Sequence, residues 1–183
     1  MEKQHLLENR QHGTPAFPFA CFCTKSDTTD FFVPLHWHKK TEIMQIHAGS
    51  CEVTIGNETF SAKPEDIFCI NSEELHRIAS NDISLTYSTF IFSVDTLAFA
   101  VSDKAQLLLK PLIEDTLRFP TQITDAAAKQ LLSPLLHRIL QAAEQKKAGY
   151  ELLVKAGLLQ FTAELLYGGL LLPADPVSLH VSG

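Results

Sequence analysis

The spacing of apolar residues changes near residue 100, and this change limits the architectures that the chain can adopt. Before it, short segments such as Cys51–Ile55 alternate apolar and polar residues, which is typical of half-buried strands. After it, from about Asp103, apolar residues recur at helical spacing. The pattern therefore predicts a mainly β first half followed by C-terminal helices.

Turn residues divide the first half into several strands. The tripeptide Ala48-Gly49-Ser50, the dipeptide Gly56-Asn57 and the segment 63–66 each separate two apolar runs, and Gly56-Asn57 is typical of a tight hairpin. We expect strands over residues 19–23, 31–33, 42–47, 51–55, 59–60 and 67–70, and one or two more over 83–92. Many short strands separated by turns favour an antiparallel sandwich or barrel.

Capping residues and prolines set the expected limits of the first two helices. The first is expected to end before Phe119-Pro120. Thr124 is expected to be the N-cap of the second, whose apolar residues lie on one broad face. Pro134 is expected to kink this helix, or to restart it with Ser133 as a cap.

The last helix, from Tyr150 to Gly168-Gly169, is apolar on more than one face. One face can pack on the barrel or on the preceding helix. The other favours a partner chain, with burial inside the domain as the alternative. We predict a homodimer through this helix, with the following candidate contact residues: Leu152, Leu158, Leu159, Phe161, Leu165 and Leu166.

Composition limits the classes of partner. The formal net charge is −6. This charge disfavours a nucleic-acid-binding module, because phosphate binding needs clustered Lys and Arg. The sequence has neither a signal-peptide pattern nor the roughly 20 uninterrupted apolar residues of a membrane helix, so we expect a cytoplasmic protein without a membrane partner. The four cysteines lack C-x-x-C spacing and are expected to be reduced, buried small hydrophobes.

Three histidines and a glutamate form the candidate site. His36-Trp37-His38 places two imidazoles on the same face of a strand. Glu42 should point into the barrel together with Met44 and Ile46, because alternate residues share a face. With His76, which follows a turn, these side chains are expected to converge as ligand-binding residues: His36, His38, Glu42 and His76.

Three interpretations of this set are open. The first is a pocket that hydrogen-bonds a polar ligand without any required cofactor. The second is a divalent metal site, for Zn, Ni, Mn or Fe, with the same four residues as ligands. The third is a pure scaffold. No catalytic residue is assigned, since no candidate general base stands apart from the four.

The remaining residues of interest are expected to be structural. Trp37 should pack under the helices, and His47 should point outward. The other histidines, with no partners within sequence reach, are assigned no role: His5, His12, His137 and His180.

These residues carry a resemblance to a known family. The sequence His36-Trp-His38-x-x-x-Glu42, followed after six residues by Gly49, fits the first motif of cupins. The segment from Gly56-Asn57 to His76 resembles the second motif in a looser form. The order and length of the elements over roughly residues 17–169 are similar to the N-terminal domain of AraC-type transcription regulators. The resemblance implies a cupin-like antiparallel β-barrel, or jelly roll, followed by an α-helical dimerisation hairpin.

The resemblance also implies a function and a division of the chain. It implies an arm at 1–16 that folds over the barrel mouth, an effector-binding barrel at 17–100, a helical dimerisation region at 101–169 and a truncated linker at 170–183. The effector would be a small polar molecule, such as a sugar or another metabolite. DNA would be bound only through C-terminal helix-turn-helix motifs, which we expect to be absent because no basic helix follows Gly169.

Two alternatives remain beside the sensor. One is a metal-dependent cupin enzyme that uses His36, His38, Glu42 and His76 as ligands. It is disfavoured because Pro64-Glu65-Asp66 lacks the glycine of the second motif. The other is a dimerisation module without a ligand.

Overall fold

The structure, a computed structural model, describes residues 3–101 and 103–174. Its first half contains the strands β1 (Phe19–Lys25), β2 (Phe31–His36), β3 (Thr41–Ala48), β4 (Cys51–Ile55), β5 (Glu58–Ala62), β6 (Ile67–Ile70), β7 (His76–Ser80) and β8 (Thr86–Phe92). Its second half contains α1 (Lys104–Ile113), β9 (Leu117–Arg118), α2 (Ala126–Gln145), α3 (Tyr150–Tyr167) and β10 (Leu172–Pro173). The predicted mainly β fold with C-terminal helices is confirmed.

The eight strands of the first half form two antiparallel sheets. One has the order β1-β8-β3-β6 and the other the order β2-β7-β4-β5. Apart from the β4–β5 hairpin, successive strands thus pass back and forth between the sheets in the order of a jelly roll, as the sequence predicts. The short β9 and β10 pair with each other in a separate ribbon.

Strand β7 was not predicted from the sequence. His76 and Ser80 are buried and polar, and they alternate with the exposed Arg77, so the period of two is not visible in hydrophobicity. The expected segment 83–92 begins too early. Asp82 accepts hydrogen bonds from the backbone N–H and hydroxyl of Ser84, which forms a turn, and a single strand follows.

The helices differ from the expectations at two positions. Asp125 rather than Thr124 caps α2, because its side chain accepts a hydrogen bond from the Ala128 N–H. Pro134 does not restart the helix, which is continuous through it. Pro134 and Gln130, whose carbonyl the missing N–H would have bonded, are both exposed, so water can satisfy that carbonyl.

The main core lies between the helices and the outer face of the β1-β8-β3-β6 sheet. Ile43 and Phe90 from the sheet are fully buried in one cluster with Leu136 and Phe161 from the helices. A second cluster, which includes Met44 and its neighbours, fills part of the space between the sheets. Strand β3 therefore contributes to both cores, because alternate residues point to opposite faces.

Helices α2 and α3 approach each other closely at Gly157. A Cβ atom at this position would lie 2.5 Å from Cγ1 and 2.8 Å from Cδ1 of the buried Ile139. Because tightly packed interiors tolerate added volume poorly, the observed distance between the two helices requires glycine at this position.

The substitution Gly157→Val is therefore expected to lower the free energy of unfolding by about 1–3 kcal/mol. Urea denaturation would measure it. In the background Ile139→Ala, which removes the atoms that clash, the same substitution should cost less. An equal cost in both backgrounds would contradict the packing explanation.

Among the described residues, none of the helices combines the length and the apolar character that crossing a bilayer requires.

Candidate functional site

The four predicted site residues come from adjacent elements at one end of the space between the sheets. His36 is the last residue of β2, and His76 is the first residue of β7, directly opposite it in the strand pairing. His38 lies in the loop after β2, and Glu42 lies on β3. The structure therefore brings all four together.

The distances define a compact cluster. Nε2 of His38 lies 3.1 Å from Oε2 of Glu42, and Nε2 of His76 lies 3.7 Å from the same oxygen. The rings of His36 and His76 have centroids 4.1 Å apart. One nitrogen from each of the three imidazoles lies within 4.8 Å of the others. His38, Glu42 and His76 are buried, and His36 is partly exposed.

A backbone carbonyl orients each imidazole. Nδ1 of His36 lies 2.8 Å from the Pro34 carbonyl, Nδ1 of His38 lies 2.9 Å from the Lys40 carbonyl, and Nδ1 of His76 lies 2.9 Å from the Glu74 carbonyl. A carbonyl only accepts hydrogen bonds, so Nδ1 carries the proton in each ring. In the neutral form, the Nε2 atom of each ring therefore carries a lone pair.

These lone pairs lack a partner of opposite polarity. Nε2 of His76 is buried without a hydrogen bond among the described residues. Nε2 of His38 and the Glu42 carboxylate are both acceptors when the ring is neutral, although they lie within hydrogen-bond distance. Either a proton or a cation between these atoms would resolve the conflict.

The cluster holds Glu42 ionised. Burial alone would raise the pKa of this carboxyl, but the contact with Nε2 of His38 and the nearby ring of His76 outweigh burial and lower the pKa to about 2. Burial alone would lower the pKa of His76, but the Glu42 carboxylate outweighs burial, so the pKa of His76 is raised. For His36, burial and the neighbouring His76 lower the pKa. The site therefore contains a buried negative charge that attracts protons or cations.

A cavity of about 490 Å³ opens beside this cluster. His36, Glu42 and His76 lie on its wall, and strands β1, β2, β7 and β8 supply further lining residues, among them Phe22, Thr24, Ile78, Tyr87, Thr89 and Ile91. Burial raises the pKa of the Tyr87 phenol to about 12, so it remains a hydroxyl at neutral pH. The size and the mixed lining are those of a small-molecule site.

The N-terminal arm, residues 3–16, supplies lining residues that the sequence analysis missed. Glu8, Arg10 and His12 line the cavity. His12, which was assigned no role, is only 4% exposed, and its ring packs edge-on against His38 with centroids 5.7 Å apart. Nε2 of His12 lies 3.4 Å from the Glu8 carboxylate. The interpretation of His12 as a residue without partners is wrong.

Trp37 contacts the arm instead of the helices, contrary to expectation. Its indole N–H donates to the Lys3 carbonyl at 2.7 Å, and the Lys3 ammonium lies 5.1 Å from the ring centroid. Backbone hydrogen bonds from Trp37 to Leu6 and from Glu8 to Trp37 add to this contact. The segment between the two site histidines is therefore the docking point of the arm.

Three other expectations concern residues near the site. His47 points away from the barrel interior, as predicted, and its Nε2 lies 2.8 Å from the Ser88 hydroxyl. Cys23 is exposed, so the expectation that all four cysteines are buried is wrong. His5 and His137 are exposed, and His180 lies outside the described residues.

The predicted dimer residues divide into two groups. Leu158, Phe161 and Leu165 are buried in this chain's own core, so they are not available to a partner chain and their assignment is wrong. Leu159 and Leu166 are partly exposed, and Leu152 is 74% exposed.

A jelly roll with an imidazole-lined cavity between its sheets defines a barrel of the cupin type. Residues 19–162 match the protein family described as "AraC-like ligand binding domain". The match covers most of the 183 residues, and the chain belongs to this family.

One relative extends the comparison to a named regulator. Over 74 residues the chain is 32% identical to the "Uncharacterized HTH-type transcriptional regulator YdeC" of Bacillus subtilis (strain 168). These residues are 40% of this chain and 25% of that protein, so the match spans about a quarter of the relative's length.

Similar solved structures include a predicted oxalate decarboxylase from Thermotoga maritima, at 23% identity and a TM-score of 0.36, covering 41% of this chain and 64% of that one. Another is an RmlC-like cupin from Shewanella frigidimarina, at 13% identity and a TM-score of 0.36, covering 41% of this chain and 65% of that one.

Proposed function

We propose that this chain is the effector-sensing and dimerisation part of an AraC-type transcription regulator. A small polar molecule enters the cavity of about 490 Å³, whose wall includes His36, Glu42 and His76, and contacts these residues together with His38, which adjoins Glu42. The observation that carries the proposal is the cluster of buried, oriented polar groups on the wall of this cavity. Buried polar groups without partners are costly, so a polar ligand that satisfies them is strongly favoured.

Strand β3 offers a physical route from the ligand to the helices. Glu42 lies on its inner face, and Gln45 lies on its outer face, where its amide donates to the Ser133 hydroxyl of α2 at 3.0 Å. A ligand that shifts β3 would therefore move a contact of α2. In this proposal DNA is bound by a separate part of the regulator, which agrees with the net charge of −6 of this chain.

A thermal-shift screen tests effector binding. Sugars, sugar acids and other small metabolites would be added to the protein as purified, with Trp37 fluorescence as the second readout, since Trp37 is the only tryptophan. At a hundredfold excess over its dissociation constant, an effector should stabilise the fold by about 2.7 kcal/mol, or raise Tm by roughly 5–10 °C. Glu42→Gln should lose the response, and His47→Gln, which changes an outward-pointing residue, should keep it. A panel without any response would contradict the proposal.

A divalent metal ion is a second candidate ligand, and the donor set fits it. Metal-binding histidines commonly donate their other ring N–H to a backbone carbonyl, as His36, His38 and His76 do. The three Nε2 lone pairs and the Glu42 carboxylate would hold Zn, Ni, Mn or Fe. A bound metal would supply a Lewis acid for an oxygen atom of the effector, or of a substrate in a cupin enzyme. Elemental analysis of the purified protein tests this candidate.

The proposed dimer uses the exposed seam of α3. Residues alternately four and three positions apart form one apolar line without charges on this helix: Leu152, Ala156, Leu159, Ala163 and Leu166. This is the spacing of a coiled-coil seam. Because two copies of the same face are self-complementary, we infer that a second copy of the chain covers it.

A further inference from the structure

The charges around the cavity leave one cation without a partner. Glu8 pairs with His12, and Glu42 pairs with His38 and His76. Arg10 also lines the cavity, but none of the ion pairs or side-chain hydrogen bonds among the described residues includes its guanidinium. Arginine stays protonated at any ordinary pH, so this edge of the cavity carries a permanent positive charge.

The arm backbone directs Arg10 toward the barrel. Glu8, Arg10 and His12 line the cavity, whereas Asn9 and Gln11 between them do not; Arg10 is itself exposed to solvent. This alternation is that of an extended chain with one face on the barrel. The position of Arg10 therefore belongs to the wall of the site, not to a free tail.

An aromatic ring holds the guanidinium. Its central carbon lies 4.5 Å from the centroid of Phe22, which is the range of a cation–π contact. Stacking occupies the flat face of a guanidinium and leaves the N–H groups along its edge free. Those N–H groups form a planar fork that matches the two oxygens of a carboxylate.

We infer that the effector is a small carboxylic acid whose carboxylate is bound by Arg10. This inference rests on the proposed function, because it names the chemical class of ligand for the same cavity. The carboxylate pairs with the guanidinium, and the rest of the molecule reaches the imidazole cluster and Glu42. A neutral sugar would offer only uncharged hydroxyl acceptors and would leave the positive charge unpaired.

Carboxylic acids and neutral compounds, with succinate and succinamide as a matched pair, test the inference. Succinate, 2-oxoglutarate and citrate would be compared with succinamide, glucose and arabinose, at low chloride, by calorimetry and by Trp37 fluorescence. At least one of the acids is expected to bind, and the neutral compounds are not. Arg10→Gln should weaken acid binding at least about tenfold, because a charge-assisted hydrogen-bonded pair is lost, and Arg10→Lys should restore part of it.

The control is Asn9→Ala, which changes the adjacent arm residue that points outward and should leave acid binding unchanged. The Trp37 spectrum of each ligand-free variant reports whether the arm is still docked. Acids that bind equally well to wild type and to Arg10→Gln would overturn the inference, as would a panel in which only the neutral compounds bind. In the second case the proposed sensor function stands, whereas a panel without any binding ligand would contradict both.

Discussion

Replacing His76 with alanine is expected to lower the affinity of the barrel for Zn²⁺ or Mn²⁺ by at least about 100-fold, since even the loss of an outer-shell contact costs 10–100-fold. His76 supplies the buried Nε2 that has no hydrogen bond among the described residues, and its ring is oriented by the Glu74 carbonyl. Without it, two imidazoles and Glu42 remain, so the site loses one of its four protein donors. Calorimetric titration of protein first treated with a chelator measures the effect.

His47→Ala is the matched control, because it removes the same side chain from the outer face of β3 and should leave metal affinity unchanged. A second readout separates loss of binding from loss of fold. A metal at a hundredfold excess over its dissociation constant should stabilise the wild type by about 2.7 kcal/mol, and this gain should vanish in a folded His76→Ala variant. Unchanged affinity in that variant would eliminate the proposed metal site.

All four residues of this cluster were predicted from the sequence, but strand periodicity accounts for only three of them. Alternation along a strand predicts that Glu42 shares a face with Met44, and the spacing of His36 and His38 keeps their rings on one side. His76 is brought to them by the pairing of β7 with β2. That pairing was not predictable from periodicity, because the buried residues of β7 include polar side chains.

The arm residues that line the cavity could not be predicted from the local hydrophobic pattern of the sequence. Glu8, Arg10 and His12 lie in a segment without regular secondary structure, so neither period nor propensity marks them. Their place on the cavity depends on tertiary contacts, above all on the hydrogen bonds between the arm and Trp37. The resemblance did predict that the arm folds over the barrel mouth, but it did not identify which arm residues line the cavity.

Helix α3 illustrates a different limit. Apolar residues lie all around it, so the sequence does not distinguish the face that packs on the domain from the face that is left exposed. In the structure, Val154, Leu158 and Phe161 are buried under the sheet and α2. The exposed line that remains contains large and small apolar residues, and Tyr167 at its end is 94% exposed. An apolar surface of this kind is rarely left to water.

The double variant Leu152→Glu/Ala163→Glu is therefore expected to convert the protein from a dimer to a monomer at micromolar concentration. Both positions are exposed in the single chain, so the fold should tolerate the change. In a dimer each glutamate would be buried in an apolar seam without a partner, at a cost of about 3–5 kcal/mol. That cost corresponds to an increase of at least about 100-fold in the dissociation constant, which size-exclusion chromatography with light scattering would detect.

Leu107→Glu is the appropriate control, because Leu107 lies on α1, is 61% exposed and is outside the seam. This variant should remain dimeric, whereas a surface that associates only through general hydrophobicity would respond to either change. A monomeric wild type would refute the second copy as the occupant of the seam. If the wild type is dimeric and the double variant remains so, a different surface joins the two chains, and the apolar line on α3 has another partner.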